Sequence, residues 1–292
     1  MDTTEDRMIT VQCRVSVPIE KAWQLWTGEE HIVQWNQASD EWHTPEARND
    51  LRPGGKFCYR MEARDGSAGF DFEGEYTFVE QHRQILSVLG DGRKVKVTFS
   101  EEGGQTIVKE TFEAESMNST ELQRQGWQSI LDSFSGYAER SKTLNTLRFE
   151  INIQAPVRKV YDTMLDENHY RTWTRVFNAE SRFVGSWKKG SGMQFLGAEA
   201  DGSFGGMIST IRENIPGVYV SIEHLGFVKN GEQITSGDPF DGWQGARENY
   251  TFVDTAGSTK LRVDLDTKPE YQDYFNTTWP EALSSLKSLC EA

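Results

Sequence analysis

The chain contains two copies of one sequence pattern, and this duplication constrains its fold more than any other feature. Residues 13–18 alternate apolar and polar side chains and end at a proline, and residues 151–156 do the same. A tryptophan follows each proline at the same spacing, as Trp35 in the first copy and Trp173 in the second. Alternation with a period of two predicts a strand, and proline is favoured in the first turn of the helix that follows.

Each copy continues with further alternating segments and closes with a segment of helical periodicity that begins at a tryptophan. Spacings of three and four residues are found at Trp127, Leu131 and Phe134 in the first copy and at Trp279, Leu283 and Leu286 in the second. A run of strands followed by one long amphipathic helix indicates an α+β fold with an antiparallel sheet. We therefore predict two tandem domains, residues 1–142 and 147–292, in each of which a curved sheet wraps around a long C-terminal helix.

Charge and motif content argue against several classes of function. With 31 Lys and Arg against 45 Asp and Glu, the net charge is −14, and such an acidic chain repels the phosphate backbone of nucleic acid. No stretch approaches the roughly 18 apolar residues of a membrane helix, and the N-terminus lacks a signal-peptide pattern. The cysteines and histidines show no metal-ligand spacing. We expect a cytoplasmic protein with no membrane insertion, no metal and no cofactor.

Short motifs in both copies are similar to those of a known superfamily. They are VSVPIEKAW at 15–23, PGGKF at 53–57 and GW at 126–127, then IEHLG at 222–226, ENYTF at 248–252 and WPEAL at 279–283. They resemble the START/Bet v 1-like (SRPBCC) superfamily, and within it the bacterial relatives of the activator of Hsp90 ATPase. The resemblance implies two helix-grip domains, each with a cavity between sheet and helix. It covers about residues 9–290.

Aromatic side chains are the first candidates for contact with a ligand in such a cavity. Most would fill the core, and those that face the cavity would line it. The candidates are Trp35, Phe57, Tyr59, Phe99 and Trp127 in the first copy, and Trp173, Phe195, Trp243, Tyr250 and Trp279 in the second. The first copy shows no inward acid–base pair, which predicts a plain hydrophobic pocket or a filled one.

The second copy differs from the first by a polar pair and a longer loop. Alternation places His224 and Glu248 on the inward faces of two strands, where the first copy has Gly90 and Val95. A carboxylate facing an imidazole raises the histidine pKa, and three roles stay open: a structural pair, a ligand contact, or general acid–base catalysis. The loop, at about residues 225–246, is typical of a lid or a mobile insertion.

The sequence favours a binding protein over an enzyme, because it contains no recognisable nucleophile or metal motif. We expect one or both cavities to hold a small hydrophobic or amphipathic ligand. The resemblance implies two alternatives, an interaction with a chaperone such as Hsp90 in stress, and a polyketide-cyclase-like reaction in the second domain through His224 and Glu248. The sequence pattern does not specify an oligomeric state.

Overall fold

The predicted α+β class and the two tandem helix-grip domains are confirmed. The computed structural model describes residues 8–199, 202–229, 231–238 and 240–292. The chain divides into two units between Lys142 and Thr143. Each unit is one antiparallel sheet with two short helices near its start and one long helix at its end.

The first unit contains seven strands in one sheet. Its elements are β1 (Met8–Val15), α1 (Ile19–Thr27), α2 (Glu29–Trp35), β2 (Trp42–Asn49), β3 (Lys56–Ala63), β4 (Gly69–Glu80), β5 (Gln84–Leu89), β6 (Lys94–Glu102), β7 (Gln105–Glu113) and α3 (Thr120–Arg140). The strand order is β1-β7-β6-β5-β4-β3-β2, so strands β2 to β7 follow one another in sequence order and β1 pairs with β7. Helix α3 packs against β1 and closes the grip.

The second unit repeats this topology. Its elements are β8 (Asn145–Ile153), α4 (Val157–Leu165), α5 (Glu167–Trp173), β9 (Arg182–Gly185), β10 (Gly192–Ala198), β11 (Phe204–Ile215), β12 (Tyr219–Lys229), β13 (Glu232–Ile234), β14 (Arg247–Asp254), β15 (Thr259–Thr267), a 3-10 turn (Pro269–Tyr271) and α6 (Gln272–Glu291). The order β8-β15-β14-β12-β11-β10-β9 matches that of the first sheet, with β13 added beside β12.

The repeated tryptophans hold the two short helices of each unit together. The indole N–H of Trp35 donates to the carbonyl of Leu25 at 2.9 Å, and that of Trp173 donates to the carbonyl of Met164 at 3.1 Å. Both carbonyls lie near the end of the preceding helix, where backbone acceptors lack helical partners. The same residue at the same position of the repeat therefore has the same structural role in both units.

A buried threonine fixes the crossing from the first strand of each unit into its first helix. Thr106 Oγ1 donates to the carbonyl of Val17 at 2.8 Å, and Thr259 Oγ1 donates to that of Ala155 at 2.7 Å. Both side chains are almost completely buried. These threonines stand opposite the last residues of β1 and β8, so they give a common reference for aligning the two sheets.

Part of the loop predicted at residues 225–246 is instead a β-hairpin. Strand β12 continues to Lys229, and β13 pairs back on it with Phe227 opposite Ile234. The sequence Asn230-Gly231 is a strong two-residue hairpin signal, and Gly231 has a φ of 77°. After the hairpin, the buried Phe240 packs edge-on against Phe227, with ring centroids 5.7 Å apart. Asn230 and Pro239 lie outside the described residues.

We expect Thr106→Val to lower the free energy of unfolding of the first unit by about 1–2 kcal/mol. The substitution preserves shape but leaves the buried Val17 carbonyl without its donor. The control is Thr111→Val on the outer face of the same strand, because its hydroxyl bonds only that of Thr10 at an exposed position. Denaturant titration followed by tryptophan fluorescence measures both. Equal stabilities of the two variants would contradict the anchoring role of Thr106.

Candidate ligand-binding sites

The first unit encloses a cavity of about 390 Å³ between its sheet and helix α3. Its aromatic wall consists of Trp26, Trp35, Trp42, Phe57, Tyr59, Phe70, Phe72, Tyr76 and Trp127. Trp127 is fixed in place because it stacks on Phe112 of β7, with ring centroids 3.8 Å apart. Phe72 meets the same indole edge-on at 5.8 Å. The wall is therefore a set of aromatic rings held by their contacts with one another.

A buried carboxyl, Glu110, also lines this cavity. It lies on β7 between Val108 and Phe112 and shares their inward face, with 8% of its surface exposed. Within the described part of the chain its side chain makes no hydrogen bond and no ion pair. Burial raises the pKa of Glu110 from its ordinary value of 4.5 to about 8.

The prediction of a plain hydrophobic pocket in the first copy was therefore wrong. The sequence did contain a signal, because Glu110 stands in strict alternation with the apolar residues Val108 and Phe112. A carboxyl at an inward register position of a strand is unusual, since its burial costs free energy. Searching each strand for a charged residue in phase with apolar neighbours would have identified it.

The tyrosine hydroxyls and the arginine at the first cavity are bonded to protein partners. The hydroxyls of Tyr59 and Tyr76 are 3.3 Å apart, and Tyr76 donates to the side chain of Asn49. Arg93 donates to Asp91 through Nε at 2.7 Å. Burial raises the pKa of Tyr76 to about 12, so both hydroxyls stay protonated at neutral pH.

The second unit encloses a larger cavity of about 530 Å³. Its aromatic wall consists of Tyr170, Trp173, Phe177, Phe195, Phe227, Trp243, Tyr250, Tyr271, Tyr274, Phe275 and Trp279. Phe227 belongs to the inserted hairpin, and Trp243 follows it in the chain. Trp243 packs on Tyr271 with ring centroids 5.6 Å apart, and Lys268 Nζ lies 5.7 Å from the indole centroid. The insertion therefore forms one side of the cavity.

His224 lines the second cavity but does not pair with Glu248 as predicted. Its Nδ1 is 2.9 Å from Oγ of Ser209, which stands directly opposite on β11. No hydrogen bond or ion pair between His224 and Glu248 is present among the described residues. Burial lowers the pKa of His224 to about 4, so the imidazole is neutral at physiological pH. The predicted rise of this pKa by a facing carboxylate was wrong, because desolvation dominates.

Glu248 instead accepts a hydrogen bond from the hydroxyl of Tyr250, two residues along the same face of β14. Burial raises the pKa of Glu248 to about 7, although the bond from Tyr250 opposes the rise. Nearby, the indole N–H of Trp279 is buried and has no hydrogen-bond partner in the described part of the chain. The second cavity therefore contains a carboxyl–phenol pair and an unbonded donor.

Aligning the two sheets on their buried threonines shows an exchange of residues. Glu110 of the first unit corresponds to Val263 of the second, and Glu248 of the second corresponds to Val95 of the first. Each unit thus has a buried carboxyl where the other has valine. The two positions lie on strands that are neighbours in the shared topology. The common fold does not require a carboxyl at either position.

One residue predicted to contact a ligand lies away from the cavities. Phe99 packs against Trp23 and Trp26, with ring centroids 5.1 and 6.1 Å apart, and fills the core behind the first cavity. The other candidates line the cavities, namely Trp35, Phe57, Tyr59 and Trp127 in the first and Trp173, Phe195, His224, Trp243, Glu248, Tyr250 and Trp279 in the second. Their contact with a ligand stays a prediction.

No group of three or more His, Cys, Asp or Glu side chains with a geometry suited to a metal ion is present among the described residues. Within the same residues, no helix has both the length and the apolar character needed to cross a membrane.

One family model matches both units of the chain, and solved structures match one unit each. The family model for Activator of Hsp90 ATPase homolog 1-like protein matches residues 16–139 and again residues 154–291. The AHSA1-like protein from Aeromonas hydrophila is 44% identical over 46% of this chain and 94% of its own, with a TM-score of 0.44. Chr148 from Cytophaga hutchinsonii is 47% identical over 46% and 93%, with a TM-score of 0.42.

A two-domain solved structure also matches nearly the whole chain. The di-domain ARO/CYC protein BexL from the BE-7585A biosynthetic pathway is 10% identical over 98% of this chain and 97% of its own, with a TM-score of 0.45. No curated protein matches this chain.

We expect Glu110→Gln to remove part of the pH dependence of stability. Between about pH 5 and pH 8 the carboxyl ionises in the unfolded chain but stays protonated when folded, so the free energy of unfolding falls as the pH rises. The scale is on the order of 1.4 kcal/mol for each unit of pKa difference. The variant has no carboxyl to ionise and lacks this fall.

Denaturant titrations at pH 5, 6.5 and 8 measure the effect. The control is Glu101→Gln, which removes an exposed carboxyl of β6 and should keep the wild-type pH dependence. Parallel curves for wild type and Glu110→Gln would contradict the assignment.

Proposed function

The chain belongs to the family of activator of Hsp90 ATPase homolog 1-like proteins, and on this premise we propose that it binds small amphipathic molecules in its two cavities. The volumes, about 390 and 530 Å³, fall within the ~300–1,000 Å³ typical of small-molecule sites. Both walls are largely aromatic, with few polar groups. Such a wall binds an apolar body, and the polar groups fix its orientation.

The observation that carries this proposal is the open space beside helix α3 in the first unit. Gly126 lines the cavity and is partly exposed, and a Cβ atom built on it would meet no atom outside its own helix within 4 Å. The space is therefore accessible to a molecule that enters from solvent. Because large aromatic side chains surround the space without filling it, a bound apolar molecule would gain dispersion contacts and leave water.

A reaction in the second cavity is a second candidate, and the Glu248–Tyr250 pair favours it. A carboxyl with a pKa of about 7 can both accept and donate a proton at neutral pH. The acid–base role then belongs to Glu248, while the neutral His224 is bonded to Ser209. Polyketide-like β-ketone substrates, incubated with the protein and followed by mass spectrometry, test this candidate. Turnover that survives Glu248→Gln would contradict the role of Glu248.

The chaperone alternative rests on the family name and stays a prediction. Stimulation of an Hsp90 ATPase by the purified chain would support it.

We expect Gly126→Leu to close the first cavity and leave the second available. The leucine side chain would occupy the space beside Trp127, and leucine also favours a helix over glycine by up to about 1 kcal/mol. The measurement is the stoichiometry of 1-aminoanthracene binding by calorimetry. Wild type is expected to bind two molecules and Gly126→Leu one.

The matched control is Gly136→Leu in the same helix. Gly136 does not line the cavity, and its nearest neighbour for a new Cβ is the flexible end of Arg140 at 3.5 Å. This variant gains the same helix propensity and should still bind two molecules. Two bound molecules in Gly126→Leu would show that the probe binds elsewhere than in the first cavity.

A further inference from the structure

Glu110 is a buried carboxyl to which the described part of the chain gives no hydrogen-bond partner. Its side chain lines the first cavity, and no described residue donates a hydrogen bond to it. Leaving a buried polar group unpaired costs free energy. The fold does not demand this cost, because Val263 occupies the equivalent place in the second unit. The carboxyl is therefore explained better by a ligand than by the scaffold.

The described groups around Glu110 provide no cation to pair with it, so a cationic group of a ligand could do so. From β1 it faces the thiol of Cys13, whose pKa burial raises to about 12, and from β3 it faces the protonated hydroxyl of Tyr59. The cation on the cavity wall, Arg93, is engaged by Asp91. Glu115, also on the wall, accepts hydrogen bonds from the backbone of Asn118 and its neighbour. No basic side chain among the described residues forms an ion pair with Glu110.

The aromatic wall also favours a positively charged group on the ligand. Ring faces carry negative electrostatic potential and attract a cation within about 6 Å of their centroid. Trp26 and Trp35 stack at 4.8 Å, and Trp127 stacks on Phe112, so several indole and phenyl surfaces border the cavity. An ionised carboxyl beside such surfaces would stabilise an ammonium group, whereas the ring faces would repel an anion.

We propose that the first cavity binds an apolar amine, whose ammonium group pairs with Glu110 while its hydrocarbon body lies against Trp127 and the aromatic wall. This inference rests on the proposed function, since it names the ligand class of one of the two cavities. The proton balance is simple. An amine that enters as the neutral base takes the proton of Glu110, whereas one that enters as ammonium displaces that proton to solvent.

Three probes with the same ring test this inference: 1-naphthylmethylamine, 1-naphthylmethanol and 1-naphthylacetic acid. They present an ammonium, a hydroxyl and a carboxylate beside one apolar body. In calorimetric titrations of the full chain at pH 7, the amine is expected to bind the first cavity at least tenfold more tightly than the alcohol. The acid should bind most weakly. Gly126→Leu, which closes this cavity, identifies the first-cavity component of each titration.

Glu110→Gln and Glu110→Val then separate recognition from structure. Each should weaken the amine about tenfold or more, to the affinity of the alcohol, and change the affinity of the alcohol by less than twofold. Val reproduces the residue of the second unit, so it provides a folded variant if the amide disturbs packing. The control is Glu101→Gln, which leaves the cavity unchanged. A merely structural role would alter the affinities of all three probes together.

Three results would overturn the inference and leave the proposed function standing. The first is an alcohol that binds the first cavity as tightly as the amine, and the second is a preference for the amine that persists in both Glu110 variants. Tighter binding of the acid or alcohol that depends on Glu110 would assign a different ligand class and also overturn it. If none of the three probes bound either cavity, the proposed function itself would be contradicted.

Discussion

The grip of each C-terminal helix on its sheet is the contact on which the rest of the structure depends. In α3 the fully buried residues Leu131, Phe134 and Ala138 lie in the C-terminal half, whereas Trp127 and Ile130, nearer the start, border the cavity. The two halves of helix α3 therefore have different roles. Its later turns supply the burial that stabilises the domain. Its earlier turns contact one side of the sheet, where the side chain of Gln128 exchanges hydrogen bonds with the backbone of Gln12 and Trp127 stacks on Phe112, and they also border the cavity.

Much of this architecture follows from periodicity alone. The duplication, the strand faces and the amphipathic helices were predicted because burial imposes periods of two and 3.6 on apolar residues. Alternation also placed His224 and Glu248 correctly on the inward faces. It could not give their separation, because the register of β12 and β14 places Glu248 opposite Ile222, two residues from His224. A β-bulge between β11 and β12 brings Ser209 opposite His224 instead. The hairpin and the inward position of Glu110 were missed although the sequence contains a signal for each. The signals are the Asn230-Gly231 dipeptide and a carboxyl that alternates with apolar residues.

The exchange of valine and carboxyl between the units shows how one scaffold can present different polar groups. Val95, the first unit's equivalent of Glu248, lies one strand from Glu110 and two residues along the strand from Val97, which pairs with Glu110. A carboxyl at the second position is therefore displaced diagonally by about 7–8 Å. The environments differ as well, because Glu248 accepts a hydrogen bond from Tyr250, whereas Glu110 accepts none from the described residues. Two cavities built on the same topology can thus hold their ligands in different orientations.

The inserted hairpin of the second unit affects how quickly a molecule could leave. Phe227 and Trp243 border the cavity from a segment whose β13 strand pairs only with the end of β12, outside the main order of the sheet. Segments with few pairings open locally at a lower free energy than the sheet that carries them. We therefore expect the residence time of a ligand in the second unit to be set by opening of this hairpin, whereas affinity is set by the walls behind it. Shortening the insertion would then speed both capture and escape and leave the equilibrium between them less affected.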